Sequence, residues 1–288
     1  MERRKFIKEL SLGTMALISL PNLKNTISQL EGEKNKMPVL FLGHGSPMNA
    51  IEDNVYTHGW KKIAAGLPAP KAILCISAHW LTRGTKVTAM EKPKTIHDFG
   101  GFPEELFNTQ YPAYGSPAYA DKVVTAIQKT KVEKNMDWGL DHGTWSVLLP
   151  MYPKADIPVF QLSIDYSRPP QYHYDLATEL RSLRNEGVLI IGSGNIVHNL
   201  GMLRFDNTIY DWTTEFDSAM KKFISNGDHS GVINYQKLGE AAKMAVPTND
   251  HFLPLIYTLG VSDKAESINF YNENYQMGSI SMTSLRIG

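Results

Sequence analysis

Nine histidines punctuate the chain. Several of them stand where a side chain could do chemistry rather than pack. In "LGHGSP" His44 lies between Gly43 and Gly45, at the end of the apolar run 39–42. Glycines on both sides remove bulk and leave the imidazole accessible. His79 follows the run 72–77 in "AILCISAHW", and His198 lies just past "VLIIGSGN", in "GNIVHNL". His142 sits in "LDHGTW", His251 in "TNDHFLP" and His97 in "TIHDFGGFP". Imidazole titrates near neutral pH and is the commonest metal ligand. Three or four of them can hold a first-row metal with a position left open. None of the spacings is a local signature such as HExxH, so the chemistry depends on a fold that brings distant residues together. His58, His173 and His229 have the neighbours of helix or loop surfaces and are given no role.

The elements that must do the positioning can be read from periodicity. Apolar, β-branched runs at 39–42, 72–77, 158–164 and 188–191 read as buried strands. Helical stretches lie between and after them, at 117–129, 170–185, 211–225, 238–244 and 251–259, with a last strand at 279–286. Ser116 before Pro117 is an N-cap followed by proline in the first turn. Strands alternating with helices predict an α/β fold: a single domain with a central mixed sheet flanked by helices. His44, His79 and His198 then fall at strand carboxyl ends, where open α/β sheets bind their ligands. Residues alone take the reading as far as an α/β protein with a metal site at those ends.

Composition narrows the partners. With 42% hydrophobic and 20% charged residues the chain can bury a large core, and a formal net charge of zero gives no footprint for nucleic acid. The single cysteine, Cys75, lies inside the run 72–77 and reads as a small buried hydrophobe with no internal disulfide.

Residues 1–36 read differently from residues 37–288. "MERRKFIKEL" opens on Arg3, Arg4 and Lys5, and a modest apolar stretch follows at 10–20. That order is the pattern of a bacterial twin-arginine export signal followed by a polar linker, which predicts a periplasmic protein. The stretch is too short to span a bilayer, so no membrane insertion is expected once the signal is removed. The alternative is an amphipathic leader helix on a cytoplasmic protein.

The blocks "LGHGSPMNAIEDN", "ISAHWLTRGTKVTAM", "TIHDFGGFPEELF", "DHGTW", "GSGNIVHNL", "HFLPLIYTLG" and "MGSISM", in this order across residues 37–288, resemble the class III extradiol ring-cleavage dioxygenases, within them the 4,5-DOPA dioxygenase branch. The resemblance implies a single α/β domain that opens the ring of a DOPA-like catechol with O2. By position it implies that His44, His79 and His251 bind the metal, that His198 is either a further ligand or an acid/base, and that His142 acts near the substrate. Many relatives use two histidines and a carboxylate. Here His251 stands where the carboxylate is expected, and the neighbouring Asp250 is expected to point elsewhere on a helix. An all-histidine set carries less negative charge, so Fe(II) is the expected catalytic ion and Zn(II) its competitor.

Two alternatives share the scaffold. A strand-end GHGS also occurs in tetrapyrrole metal chelatases, and an all-histidine set suits a non-redox zinc hydrolase. Among the aromatics near the candidate site (Trp80, Phe99, Phe102, Tyr111, Tyr114 and Trp145), one or two are expected to contact a ring. Tyr114 stands where the resembled family often has proline.

Overall fold

In the computed structural model, which describes residues 36–206 and 208–288, the site rests on one twisted sheet. Its strands are β1 (Val39–Gly43), β2 (Ala72–Ser77), β3 (Val159–Gln161), β4 (Val188–Gly194), β5 (Ile268–Tyr271) and β6 (Ser284–Ile287), in the order β5-β6-β1-β4-β2-β3. The four strands from β1 to β3 run parallel, and β6 pairs antiparallel with both β1 and β5. The sheet is therefore mixed, as the alternation of elements predicts. Residues 36–288 form one compact unit. Residues 1–35, where the export signal is expected, lie outside the described residues.

Successive side chains of a strand point to opposite faces. Val39 and Phe41 of β1 enter one core, whereas Leu40 and Leu42 enter the other. Leu74 and Ile76 of β2 oppose Ile73 and Cys75 in the same way. Both faces are apolar because both are covered. The labelled helices are those that bear on the site: α1 (Val55–Ala65), α2 (Pro117–Ala126), α3 (His142–Met151), α4 (Pro170–Thr178), α5 (Arg181–Asn185), α6 (Asp211–Ser225) and α7 (Leu253–Val261). Trp60 of α1 and Trp145 and Leu148 of α3 fill one core. Leu176 of α4, Phe216 and Met220 of α6 and Leu255 and Ile256 of α7 fill the other.

Helix starts follow the local chemistry. Asn54 caps α1 in a capping box with Thr57, and Ser116 accepts the amide of Tyr119 ahead of Pro117. Three expected elements are interrupted. The strand expected at 158–164 leaves the sheet after Gln161, and Ile164–Asp165 pairs instead with Leu81–Thr82. The helix expected at 170–185 breaks into α4 and α5 at Glu179, whose carboxylate accepts the amides of Gln128 and Lys129. The last strand divides into Ile280–Ser281 and β6.

Register aligns the strand ends. Gly43 pairs with Gly194, and Ser77 pairs with Ser193. The ladder continues one step further, with His44 N–H donating to Gly194 O and Ala78 N–H to Ser193 O. The carboxyl ends of β1, β4 and β2 thus stop side by side. No described helix is long and apolar enough to cross a membrane.

Candidate metal centre

Three imidazoles meet at those strand ends. His44 follows β1 directly, His79 lies two residues past β2, and His251 lies in the turn before α7. Their ring centroids are 5.0 Å (His44–His79), 5.2 Å (His44–His251) and 4.9 Å (His79–His251) apart. One donor nitrogen from each lies within 4.8 Å of the others.

Hydrogen bonds set the tautomers. Ser193 Oγ donates to Gly143 O, so it accepts from His44 Nδ1–H at 3.0 Å. That leaves His44 Nε2 as a lone pair. His251 donates Nδ1–H to the Asp250 carboxylate, which frees its Nε2 in turn. His79 Nδ1 lies 3.4 Å from Asp98 Oδ2, and its Nε2 is 3.1 Å from His44 Nε2. Two nitrogen lone pairs at that separation repel unless a proton or cation lies between them. Neighbouring imidazole ligands of an ion held at roughly 2.1 Å stand about 3–3.5 Å apart, so the donor set fits a first-row metal. Burial, followed by the other histidines, holds the pKa values of His44 and His79 well below the usual imidazole range. Both rings are therefore neutral at neutral pH and free of a competing proton.

His142 opens α3 and is placed by its neighbour. The buried carboxylate of Asp141 caps the helix through Thr144 N–H and accepts from Ser77 Oγ of β2 and Gln161 Nε2 of β3. Burial, then the charge of Asp98, raises the Asp141 pKa. The His142 ring packs 3.8 Å from that of His79, centroid to centroid, and its Nδ1 lies 3.0 Å from Asp98 Oδ1. That contact is off the line of a hydrogen bond. Burial raises the Asp98 pKa, but the His142 side chain and amide more than offset this, and the net shift is downward.

His198 joins a different group. Its amide donates to Ala245 O, and its ring stacks on His251 at 3.5 Å and 8°. Its donor atom groups with those of Asp250 and His251, whereas His44 and His79 group with His251 alone. Burial first, then His251, pushes its pKa down to about 3. Asp250 does not point away on a helix, as expected. It lies in a turn, hydrogen-bonds His251, and through that bond is held well below the usual carboxylate range despite its burial.

A cleft of about 490 Å³ opens over these rings. Phe99, Phe102, Leu200, Leu203, Met277 and Ile280 form its apolar wall. Of the six aromatics considered from sequence, Phe99 and Phe102 line it. Trp80 stacks on Trp138, Tyr111 and Trp145 are buried in the core, and Tyr114 is exposed. His173 and His229 are not at the surface as expected. They are buried, bonded to Tyr257 OH and Tyr174 OH.

Sequence reasoning missed Asp98, Ser193 and the orienting role of Asp250. A signal was present: His97-Asp98, Asp141-His142 and Asp250-His251 are adjacent pairs, and carboxylates commonly orient ligating histidines.

Gly194 shows how closely the backbone must approach. A Cβ there would lie 2.1 Å from His251 O, the carbonyl that accepts from Asn195 N–H. Gly194→Ala is expected to displace the His251 turn and weaken Zn(II) binding on the order of tenfold. Chelator competition measures this, and unchanged affinity would show that the turn yields freely.

Comparison with known proteins agrees with this geometry. The family model for the catalytic LigB subunit of aromatic ring-opening dioxygenase matches residues 38–285. The chain is 48% identical over 259 residues to a 4,5-DOPA dioxygenase extradiol of Escherichia coli K12, covering 88% of this chain and 95% of that one. It is 35% identical over 262 residues to a 4,5-DOPA dioxygenase extradiol of Beta vulgaris, covering 88% and 97%. A crystal structure of an uncharacterized protein from Escherichia coli K12 superposes with a TM-score of 0.77 at 44% identity, covering 88% of this chain and all of that one.

Proposed function

The chain belongs to the LigB family of aromatic ring-opening dioxygenases, and from that premise we propose that it opens a DOPA-like catechol with O2 at a metal held by His44, His79 and His251. The observation that carries this is the meeting of three imidazoles, one donor nitrogen of each within 4.8 Å of the others, at the floor of an apolar cleft.

Fe(II) is the ion proposed for catalysis; bound there, it supplies a path for electron density from the catecholate to dioxygen. Zn(II) suits the same nitrogens but has no accessible redox change. The protein's own contribution is positioning and proton transfer. The apolar wall holds the ring and excludes water. His142, on the first turn of α3, takes a proton from a catechol hydroxyl. His198 is proposed as the second proton group rather than a fourth ligand. Parallel rings 3.5 Å apart send their lone pairs side by side, whereas ligands of one ion point to a common centre. The balance is one catechol and one O2 giving one ring-opened product that contains both oxygen atoms.

Oxygen uptake tests the reading. Protein loaded anaerobically with Fe(II), then given air and a panel of catechols, is expected to consume one O2 per catechol and form a yellow product, while Zn(II)-loaded protein consumes none. Equal turnover with both metals, or none with Fe(II), would contradict it.

Export is a separate proposal, supported by Arg3, Arg4 and the short apolar stretch after them. Replacing both arginines with lysine is expected to retain the protein in the cytoplasm on fractionation. Wild-type protein found only in the cytoplasm would refute it.

A further inference from the structure

We propose that Asp98 is a positioning residue that sets two imidazoles at once, the metal ligand His79 and the substrate-facing His142. The kinetic part of this proposal rests on the ring-opening reading; the metal-binding part needs only His79 as a ligand.

Asp98 lies in an irregular segment between the short strand Lys94–Thr95 and the helix Glu104–Asn108. It is fixed by α3 rather than by its own segment. Its Oδ1 accepts the main-chain N–H of His142 at 2.9 Å, at a helix N-terminus where the aligned peptide dipoles favour a carboxylate. From that anchor Oδ1 lies 3.0 Å from His142 Nδ1, and Oδ2 lies 3.4 Å from His79 Nδ1. His142 Nδ1 is buried and has no aligned hydrogen-bond partner among the described residues, so this carboxylate is the acceptor within its reach.

A carboxylate beside Nδ1–H fixes the tautomer, aims Nε2 and raises its basicity. At His79 the aimed Nε2 is the one facing His44 Nε2 at 3.1 Å. At His142 it is the nitrogen left to accept a proton from substrate. The other two proposed ligands are oriented separately, His44 by Ser193 and His251 by Asp250. Of these three orienting groups, Asp98 is the one that also lies against His142, the proposed base. Asp98 therefore links the strength of metal binding to the readiness of the base.

Asp98→Asn keeps the shape and the bond from the His142 amide to Oδ1, but removes the charge and turns an NH2 toward His79 Nδ1, which faced Oδ2. Wild type, Asp98→Asn, His142→Ala and the double variant are compared in Zn(II) affinity by chelator competition and in kcat and KM at saturating Fe(II). Asp98→Asn is expected to weaken Zn(II) binding about 10–100-fold. It is expected to lower kcat about 30-fold or more, with KM within about threefold. In the His142→Ala background it should cost less than about threefold in kcat while the Zn(II) loss persists, because its effect on rate passes through His142. Imidazole ¹⁵N spectra of the Zn(II) form give a readout free of turnover: His142 is expected as the Nδ1–H tautomer in wild type and as a mixture of the two tautomers in Asp98→Asn, whose uncharged Oδ1 holds that proton less strongly. Unchanged Zn(II) affinity, an unchanged tautomer, or kcat losses that multiply across the two backgrounds would each overturn the proposal. Should Asp98→Asn fail to fold, Asp98→Ser carries the same comparison. A wild type that opens no catechol refutes the ring-opening reading, and the affinity and tautomer readouts still decide this one.

Discussion

Alanine at His44 is expected to leave the purified protein with less than about a tenth of the wild-type metal and no measurable ring opening. A structural zinc site of four ligands is worth about 10–16 kcal/mol, so one donor is worth roughly 3 kcal/mol, or about 10²-fold in affinity. The three rings form a nearly equal triangle, so removing His44 opens the donor set as fully as removing either of the others. The fold should survive: Ser193 keeps its bond to Gly143 O, and the strand pairing on either side of Gly43 uses main-chain atoms. His173→Ala is the contrasting control. That ring is buried against Tyr257 OH and Arg168 O, far in sequence from every candidate ligand, and its loss should cost about 1–3 kcal/mol of stability and no metal. Metal analysis beside thermal melting separates the two. Full metal in His44→Ala would remove it from the ligand set.

His142→Ala should fail in the opposite way. Metal content is expected to match wild type, because His142 groups with His79 and Asp98 and not with the converging donors of His44 and His251. Catechol should still bind against Phe99 and Phe102, with kcat reduced roughly 10²–10⁴-fold, the usual worth of a positioned acid/base. A ligand and a proton carrier are thus distinguished by two numbers, metal per chain and kcat at saturating Fe(II). Normal kcat would show that the proton leaves by another route. His198→Ala tests the remaining assignment: retained metal with slowed turnover leaves His44, His79 and His251 as the proposed protein ligands, whereas lost metal makes His198 the fourth.

The sequence carried much of this architecture, and the reasons are local. The strand at 72–77 is a continuous apolar run, and it forms as Ala72–Ser77; the amphipathic stretch at 211–225 forms as Asp211–Ser225. Ser116 and Pro117 start α2 as their chemistry requires. What local pattern cannot hold is the order of strands. His44, His79 and His251 approach because β4 inserts between β1 and β2, with α7 packed over them, and no periodicity states that order. The same blindness explains the histidines. His173 and His229 have polar neighbours in sequence, yet both are buried in space, bonded to tyrosines 84 and 55 residues away. Asp250 was misplaced because helix α7 begins later than expected, at Leu253 with Pro254 in its first turn, which leaves Asp250 in a turn that curls back onto His251. Asp98 carried no periodic signal, and only its adjacency to His97 hinted at chemistry; in space it serves His79 and His142 instead.

Ring opening by dioxygen has one signature that simple catechol oxidation lacks. Fe(II)-loaded enzyme is given a DOPA-like catechol under ¹⁸O2 in ordinary water, and the product is examined by mass spectrometry immediately after turnover. The site described here predicts a ring-opened product carrying two ¹⁸O atoms, with allowance for exchange at any aldehyde. A quinone without label, formed while oxygen is reduced to hydrogen peroxide, would contradict it.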